Sequence, residues 1–261
     1  MNRLQIAVLA SALGLFVLLY FTCSTTPPEQ EAIEKSRALM IESTDIQSLL
    51  GDAKSRLDTR GTAEILSLEA DMEEAAGDTA RAEAYKALSG KWYQLGEAAL
   101  AGYYAEEVAN LENTGQAWGL AGTTFVLCAQ QTDQDKTRQF CSSRALKAFE
   151  NAISLEPETV SHRINLALAF TDFPPSDNPM KGITMLRELD TQYPDNPSVL
   201  FHLGRLAVQT GQWDRAVERL ARSVELNPGN RAAWCLLAQA YEAKGEQAKA
   251  AESSRRCEEM N

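Results

Sequence analysis

Few residue types carry chemistry in a protein, and this 261-residue chain is sparing with them. It holds two histidines, His162 and His202, and five cysteines, at positions 23, 128, 141, 235 and 257. The cysteines show no C-x2-C spacing, and neither histidine has a partner at ligand spacing, so no metal site is expected. No G-x-S-x-G, H-E-x-x-H or glycine-rich phosphate loop occurs, and Gly90-Lys91 lacks both the preceding glycine and the following Ser or Thr. Pairs such as Glu106-Glu107 and Glu258-Glu259 are adjacent in sequence and read as solvated faces, while the lone histidines read as surface or partly buried helix residues. The expectation is a chain that is not an enzyme, with no catalytic residue and no cofactor.

Two bulk properties narrow the partners. A net charge of -11 without a clustered Lys/Arg face excludes duplex nucleic acid, whose binding requires phosphate neutralisation. A Cys128–Cys141 bridge stays open: helix axes pack about 8–10 Å apart, against the roughly 4.4–6.8 Å between Cα atoms that a disulfide needs.

The elements that would position any site are clearest at residues 197–230. Leu200, Leu203, Gly204 and Ala207 fall at helical spacing, Gly211 interrupts, and Ala216, Leu220, Ser223 and Leu226 resume until Pro228. Gly204, Ala216 and Ser223 are small where two antiparallel helices must approach closely, and Leu200, Leu203 and Leu220 fill the space beside them. Residues 231–261 repeat the pattern with Trp234-x2-Leu237-Ala238-x2-Tyr241, Gly245 and Ala250. Pro194 and Pro228 are 34 residues apart, and Pro157 and Pro194 are 37 apart.

On these residues the chain resembles the tetratricopeptide repeat family, whose unit is a 34-residue helix pair reading W-x2-L-G-x2-Y, then A-x3-F, then P. The resemblance implies an all-α, right-handed solenoid of about six antiparallel helix pairs over residues 61–261. The clearest repeats are 115–157, 160–193, 197–230 and 231–261. Residues 61–113 read as two degenerate units, one turning at Gly77. The other begins with Trp92-x2-Leu95-Gly96-x2-Ala99 and turns at Gly102.

Two turns are longer than the family's. Gly122 and Ala145 are 23 residues apart where Gly204 and Ala216 are 12 apart, which leaves a polar insertion around QQTDQDKTRQF. It reads either as a projecting contact or as longer helices with a solvated tip. In the fourth unit Pro174, Pro175 and Pro179 make a stiff turn, with Pro179 opening the next helix.

Residues 4–22 carry no charge and reach roughly 28 Å as a helix, close to the apolar thickness of a bilayer. They are expected to be an uncleaved transmembrane anchor within residues 1–22. Arg3 precedes the span and residues 23–34 contain no Lys or Arg, which places the short N-terminus in the cytoplasm and exports the remainder, to the periplasm in a Gram-negative cell. The alternative is a lipoprotein attached through Cys23, against which stands the bulky Phe21. Residues 23–60 read as a spacer followed by connector helices that dock on the first repeat.

The resemblance also implies a concave surface lined by positions two, five, nine and twelve of each unit. Carried onto this sequence, these give Ser161, Ile164 and Leu168 in the fourth unit, Phe201, Arg205 and Val208 in the fifth, and Cys235, Gln239 and Glu242 in the sixth. Phe201 beside Arg205 joins an apolar anchor to a charge, the residue types that dominate interface energetics. The Lys and Asn with which chaperone-binding relatives clamp a terminal carboxylate are replaced here by Ile164, Leu168, Phe201 and Arg205. Cys257 stands where the family prefers alanine and reads as a small buried side chain. The expected function is a membrane-tethered scaffold or adaptor that binds a protein or peptide segment on its concave face. Two alternatives remain: a holdase similar to the subunit of bacterial cytochrome c maturation that holds the apocytochrome, and a homo-oligomeric scaffold associating through the last repeat or the 130–141 insertion.

Overall fold

The computed structural model describes residues 46–260, among which there are twelve α-helices and no strand. Helices α1 (Ile46–Ser55) and α2 (Thr59–Glu74) precede five helix hairpins. These are α3 (Asp78–Gln94) with α4 (Ala98–Glu112), α5 (Gly115–Gln131) with α6 (Asp135–Leu155), α7 (Val160–Asp172) with α8 (Lys181–Gln192), α9 (Pro197–Gln209) with α10 (Trp213–Leu226), and α11 (Arg231–Ala243) with α12 (Gln247–Glu259). Each hairpin packs on the next, and the substantial helix contacts lie within a hairpin or between neighbouring ones. That is the connectivity of a linear repeat stack, in which the core is a row of local clusters. No described helix is long and apolar enough to cross a membrane. The expected span at residues 4–22, Cys23 and the connector from Glu29 to about Glu42 lie outside the described residues.

The small-residue rule accounts for the hairpins. A Cβ on Gly204 would stand 2.6 Å from Leu220 of α10, and one on Gly122 would stand 2.6 Å from the Phe149 ring of α6. In the same place of the first hairpin stands Ser89, whose hydroxyl donates to the Ala101 carbonyl at 2.8 Å. Seven residues after Ser89, Gly204 and Ala238 come Gly96, Gly211 and Gly245, with φ of +80°, +68° and +75°. These left-handed turns close the hairpins where a Cβ would be strained. Helix starts are capped locally: the Asn196 carboxamide accepts from the Ser198 and Val199 amides ahead of Pro197, and Thr114 Oγ1 accepts from Ala117.

This register corrects the expected second unit. Trp92 lies at the end of α3, Gly96 is a turn residue, and Gly102 is inside α4. Gly102 is small because a Cβ there would meet Phe125 of α5 at 2.6 Å. The misreading is a shift of seven residues, or two helical turns, which leaves the same face apolar and is invisible to periodicity. Among the described residues the hairpins therefore number five, with α1 lying against α4 and α2 against α3 ahead of them. One smaller correction follows: helix α8 starts at Lys181 rather than Pro179. Of the two readings of the polar insertion, the structure shows the longer helices, α5 and α6 extending to the short turn 132–134.

Two disulfides staple hairpins internally: Cys128–Cys141 joins α5 to α6 with Cα atoms 5.9 Å apart, and Cys235–Cys257 joins α11 to α12 with Cα atoms 5.1 Å apart. A helix-axis spacing of about 8–10 Å is compatible with both bridges. Each Cα stands about 2.3 Å off its axis, so facing Cα atoms of packed helices come within bonding range. Glu106 is a further correction. It is not a solvated face residue but only 8% exposed, and it accepts from Arg144 Nη1 at 2.5 Å.

Candidate functional site: a groove on the first-helix face

The first helices of successive hairpins lie side by side. Helix α5 touches α7 and α9 touches α11, but α7 and α9 approach one another less closely. A cavity of about 380 Å³ opens there. Helix α5 contributes Thr123, Val126 and Gln130, α7 contributes Asn165, Leu168, Ala169 and Asp172, and α9 contributes Phe201, His202 and Arg205, with Phe149 at the base.

Its chemistry is divided. Val126, Leu168, Ala169 and Phe201 make an apolar wall, while Asn165, Asp172, His202 and Arg205 bring polar groups. Asp172 Oδ2 accepts from Gln130 Nε2 at 2.8 Å. The Phe201 ring lies edge-on to the His202 imidazole, with centroids 4.9 Å apart. Burial, reinforced by the Arg205 charge, pushes His202 down to about 4, so the imidazole is neutral at pH 7. His202 Nδ1 and Arg205 Nε are both buried without a hydrogen-bond partner.

Three of the residues expected from the sequence, Leu168, Phe201 and Arg205, therefore line one cavity. The other six stand elsewhere. Ile164 is 4% exposed and packs with Leu186, Leu189 and Leu203, and Val208 is 8% exposed and packs with Ala233 and Leu237, so both are core. Cys235 is bonded to Cys257, which also corrects the reading of Cys257 as an isolated small side chain. Ser161, Gln239 and Glu242 are exposed and do not line the cavity.

The sequence reading missed Thr123, Val126, Asn165, Asp172 and His202. Thr123 and Val126 occupy positions nine and twelve counted from Trp118 at position four, so the same rule would have found them one unit earlier. Asn165 and His202 sit at position six, which faces the groove because of the gap between α7 and α9.

Two more cavities lie towards the N-terminal end of the stack. One, of about 450 Å³, lies between α3, α4 and α5 beside Leu120, which is 62% exposed, with the Lys86–Glu112 ion pair at its rim. The other, of about 350 Å³, is polar and is walled by α1 and the turns at 96–99 and 131–134. Among the described residues no group of three His, Cys, Asp or Glu could hold a metal ion.

The geometry defines a helical-hairpin repeat stack that presents a groove with mixed apolar and polar walls. A family model for the tetratricopeptide repeat matches residues 201–256, the fifth and sixth units of the sequence reading. Solved structures with similar helix arrangements include "Crystal structure of MamA protein", 17% identical over 69% of this chain and 91% of that one, with a TM-score of 0.44. Another is "MamA 41-end from Desulfovibrio magneticus RS-1", 16% identical over 71% and 96%, with a TM-score of 0.46. A third is "Crystal structure of YrrB: a TPR protein with an unusual peptide-binding site", 18% identical over 76% and 92%, with a TM-score of 0.39. No curated protein sequence matches the chain.

Proposed function

We propose that this chain is a non-catalytic adaptor that captures a segment of another protein in the groove between α5, α7 and α9. The observation that carries the reading is the convergence of Leu168, Phe201 and Arg205 on one cavity. An apolar anchor beside a charge, set in a partly desolvated recess, is the arrangement from which interfaces draw most of their binding energy. A repeat stack suits this work because its first-helix face is long and held in shape by the hairpins behind it.

The adaptor works outside the reducing cytosol, tethered by residues 4–22. Two bonded cysteine pairs support this location, since structural disulfides persist in oxidising compartments. The charge pattern around residues 4–22 supports the same topology.

The test is in-cell crosslinking with a photoreactive residue in place of Phe201. One dominant foreign protein is expected among the adducts, lost when Arg205→Ala is added, with helicity and Tm held. Crosslinks to the same chain alone would replace the adaptor with a homo-oligomeric scaffold, and no adduct at all would overturn the reading.

A further inference from the structure

We propose that the Cys235–Cys257 bond is a thiol–disulfide exchange site through which a dithiol reductant controls the groove: opening the bond frees α12, and the loosened end of the stack no longer backs Phe201. The inference rests on the groove being a protein-binding surface and names what regulates it.

Helix α12 is the starting point, because almost nothing apolar holds it in place. Of its thirteen residues only Ala250 and Ser253 are buried, and Cys257 is half-buried. Helix α10, in the same place of the preceding hairpin, buries Leu220 and Val224 besides Ala216 and Ser223. Two small side chains bury too little apolar surface to dock a helix that is polar elsewhere. The ion pairs of Arg255 with Glu252 and Glu259 lie within α12 and stiffen it without tying it down. Its polar ties to α11 lie at the surface: Arg231 Nε donates to the Cys257 carbonyl at 3.0 Å, and Lys249 Nζ stands 5.2 Å from the Tyr241 ring centroid. The covalent bond is therefore the main restraint on α12. Cys128–Cys141 differs, since it is sealed in a cluster with Phe125, Phe140 and Phe149 that holds its two helices together.

The exchange balances as follows. One thiolate of the reductant attacks the half-buried Cys257 sulfur, the bridge breaks, and Cys235 leaves as a thiolate. Arg231 stands one turn before Cys235 on α11 and brings a positive charge towards the leaving sulfur. The second thiolate of the reductant attacks its own sulfur in the mixed disulfide and releases Cys257. The reductant ends as a disulfide, and two electrons and two protons have passed to the cysteine pair.

The groove feels this through α11. Phe201 packs against a cluster that α9, α10 and α11 build together, to which α11 contributes Ala233, Leu237 and Ala240. In a linear stack each unit is stabilised by its neighbours, so a terminal hairpin reduced to one docked helix frays, and the loss passes to the interface beneath it. Phe201 is part of the apolar wall of the cavity, whereas Cys235 and Cys257 are not among its lining. Reduction thus weakens the grip on a segment without altering any residue that touches it.

The test uses full-length protein in detergent, treated with dithiothreitol until mass spectrometry shows Cys235 and Cys257 free, and beside it the double variant Cys235→Ser with Cys257→Ser. In both, amide exchange is expected to rise about tenfold or more across α12 and α11, and measurably over residues 199–205, with α5 unchanged. The variant keeps Cys128–Cys141 closed, so it decides the outcome if the reductant opens both bonds; the treated parent decides it if the variant does not fold. Unchanged exchange over residues 199–205 overturns the inference. In cells, a photoreactive residue in place of Leu168 is expected to give about fivefold less foreign adduct in the double variant than in the parent. Equal yields from the two overturn the control and leave the capture reading standing. No adduct from either overturns capture, and with it control of capture, while the exchange data still report whether opening the bond reaches Phe201.

Discussion

Arg205 lies one turn beyond His202 on α9, and its positive charge adds to burial in holding the imidazole neutral, with a pKa pushed down to about 4. The sign follows from linkage. The unfolded histidine takes up a proton near pH 6.5 and the folded one only near 4, so the unfolded state binds more protons between these values. Stability is full above about pH 6.5 and falls as the pH drops towards 4, by on the order of 2–3 kcal/mol. Denaturant melts of the parent and of His202→Gln are expected to differ in slope over this window, with the variant flatter. Parallel pH profiles would mean that His202 titrates normally.

Gly96 and Gly102 separate the two registers of the first hairpin. Gly102→Ala drives a methyl group into the Phe125 ring and is expected to cost about 1–3 kcal/mol by overpacking. Gly96→Ala meets no neighbour but must hold φ near +80°, at a cost of about 1–2 kcal/mol. Urea unfolding of both variants checks the pair. A neutral Gly102→Ala would restore Gly102 as a loose turn.

The two disulfides differ in shelter. Cys128 and Cys141 are 2% and 0% exposed, whereas Cys235 and Cys257 are each partly open to solvent. Dithiothreitol is therefore expected to open Cys235–Cys257 first, as alkylation and mass spectrometry would record. Helix α12 buries only Ala250 and Ser253, so loss of its bridge, worth about 3 kcal/mol in the loop-entropy picture, should raise amide exchange across α12 before the other helices. Simultaneous opening of both bonds, or unchanged exchange in α12, would contradict this order.

The ion pair between buried Glu106 and half-exposed Arg144 supplies a fourth test. Arg144 also lies over the Phe140 ring, 5.0 Å from its centroid. Arg144→Met removes the charge partner of a carboxylate that is almost sealed, and about 3 kcal/mol of destabilisation is expected from that stranded charge. Adding Glu106→Gln to Arg144→Met should recover a large part of the loss. A double variant as unstable as the single one would assign the cost to packing on Phe140.

Much of the fold was legible because small residues and turn glycines recur at fixed intervals: Gly204 with Ala216 and Gly211, and Ala238 with Ala250 and Gly245. Their spacing follows from the geometry of two helices and one turn, so it survives in a single sequence. The same periodicity hid the register of Trp92, since a seven-residue slip preserves the buried face. The groove was half legible. Phe201, Arg205 and Leu168 follow from repeat positions, but the separation of α7 from α9 depends on how hairpins tilt, and that separation admits Asn165 and His202 while Ile164 and Val208 turn into the core. Of the cysteine pairs, Cys128–Cys141 was open to the sequence, while Cys235–Cys257 escaped because its partners are close in space only once both helices of the hairpin are placed.

Both bridges close within a single hairpin, spanning 13 and 22 positions, and neither ties one hairpin to the next. Under force applied at its ends, such a molecule has no covalent brake between units. It should give way one hairpin at a time, yet fall short of its full extension because the bonded segments cannot pay out. The shortfall is roughly 12 nm at about 3.5 Å per residue, and a pulling trace taken before and after reduction would show it as extra length released at the two stapled hairpins.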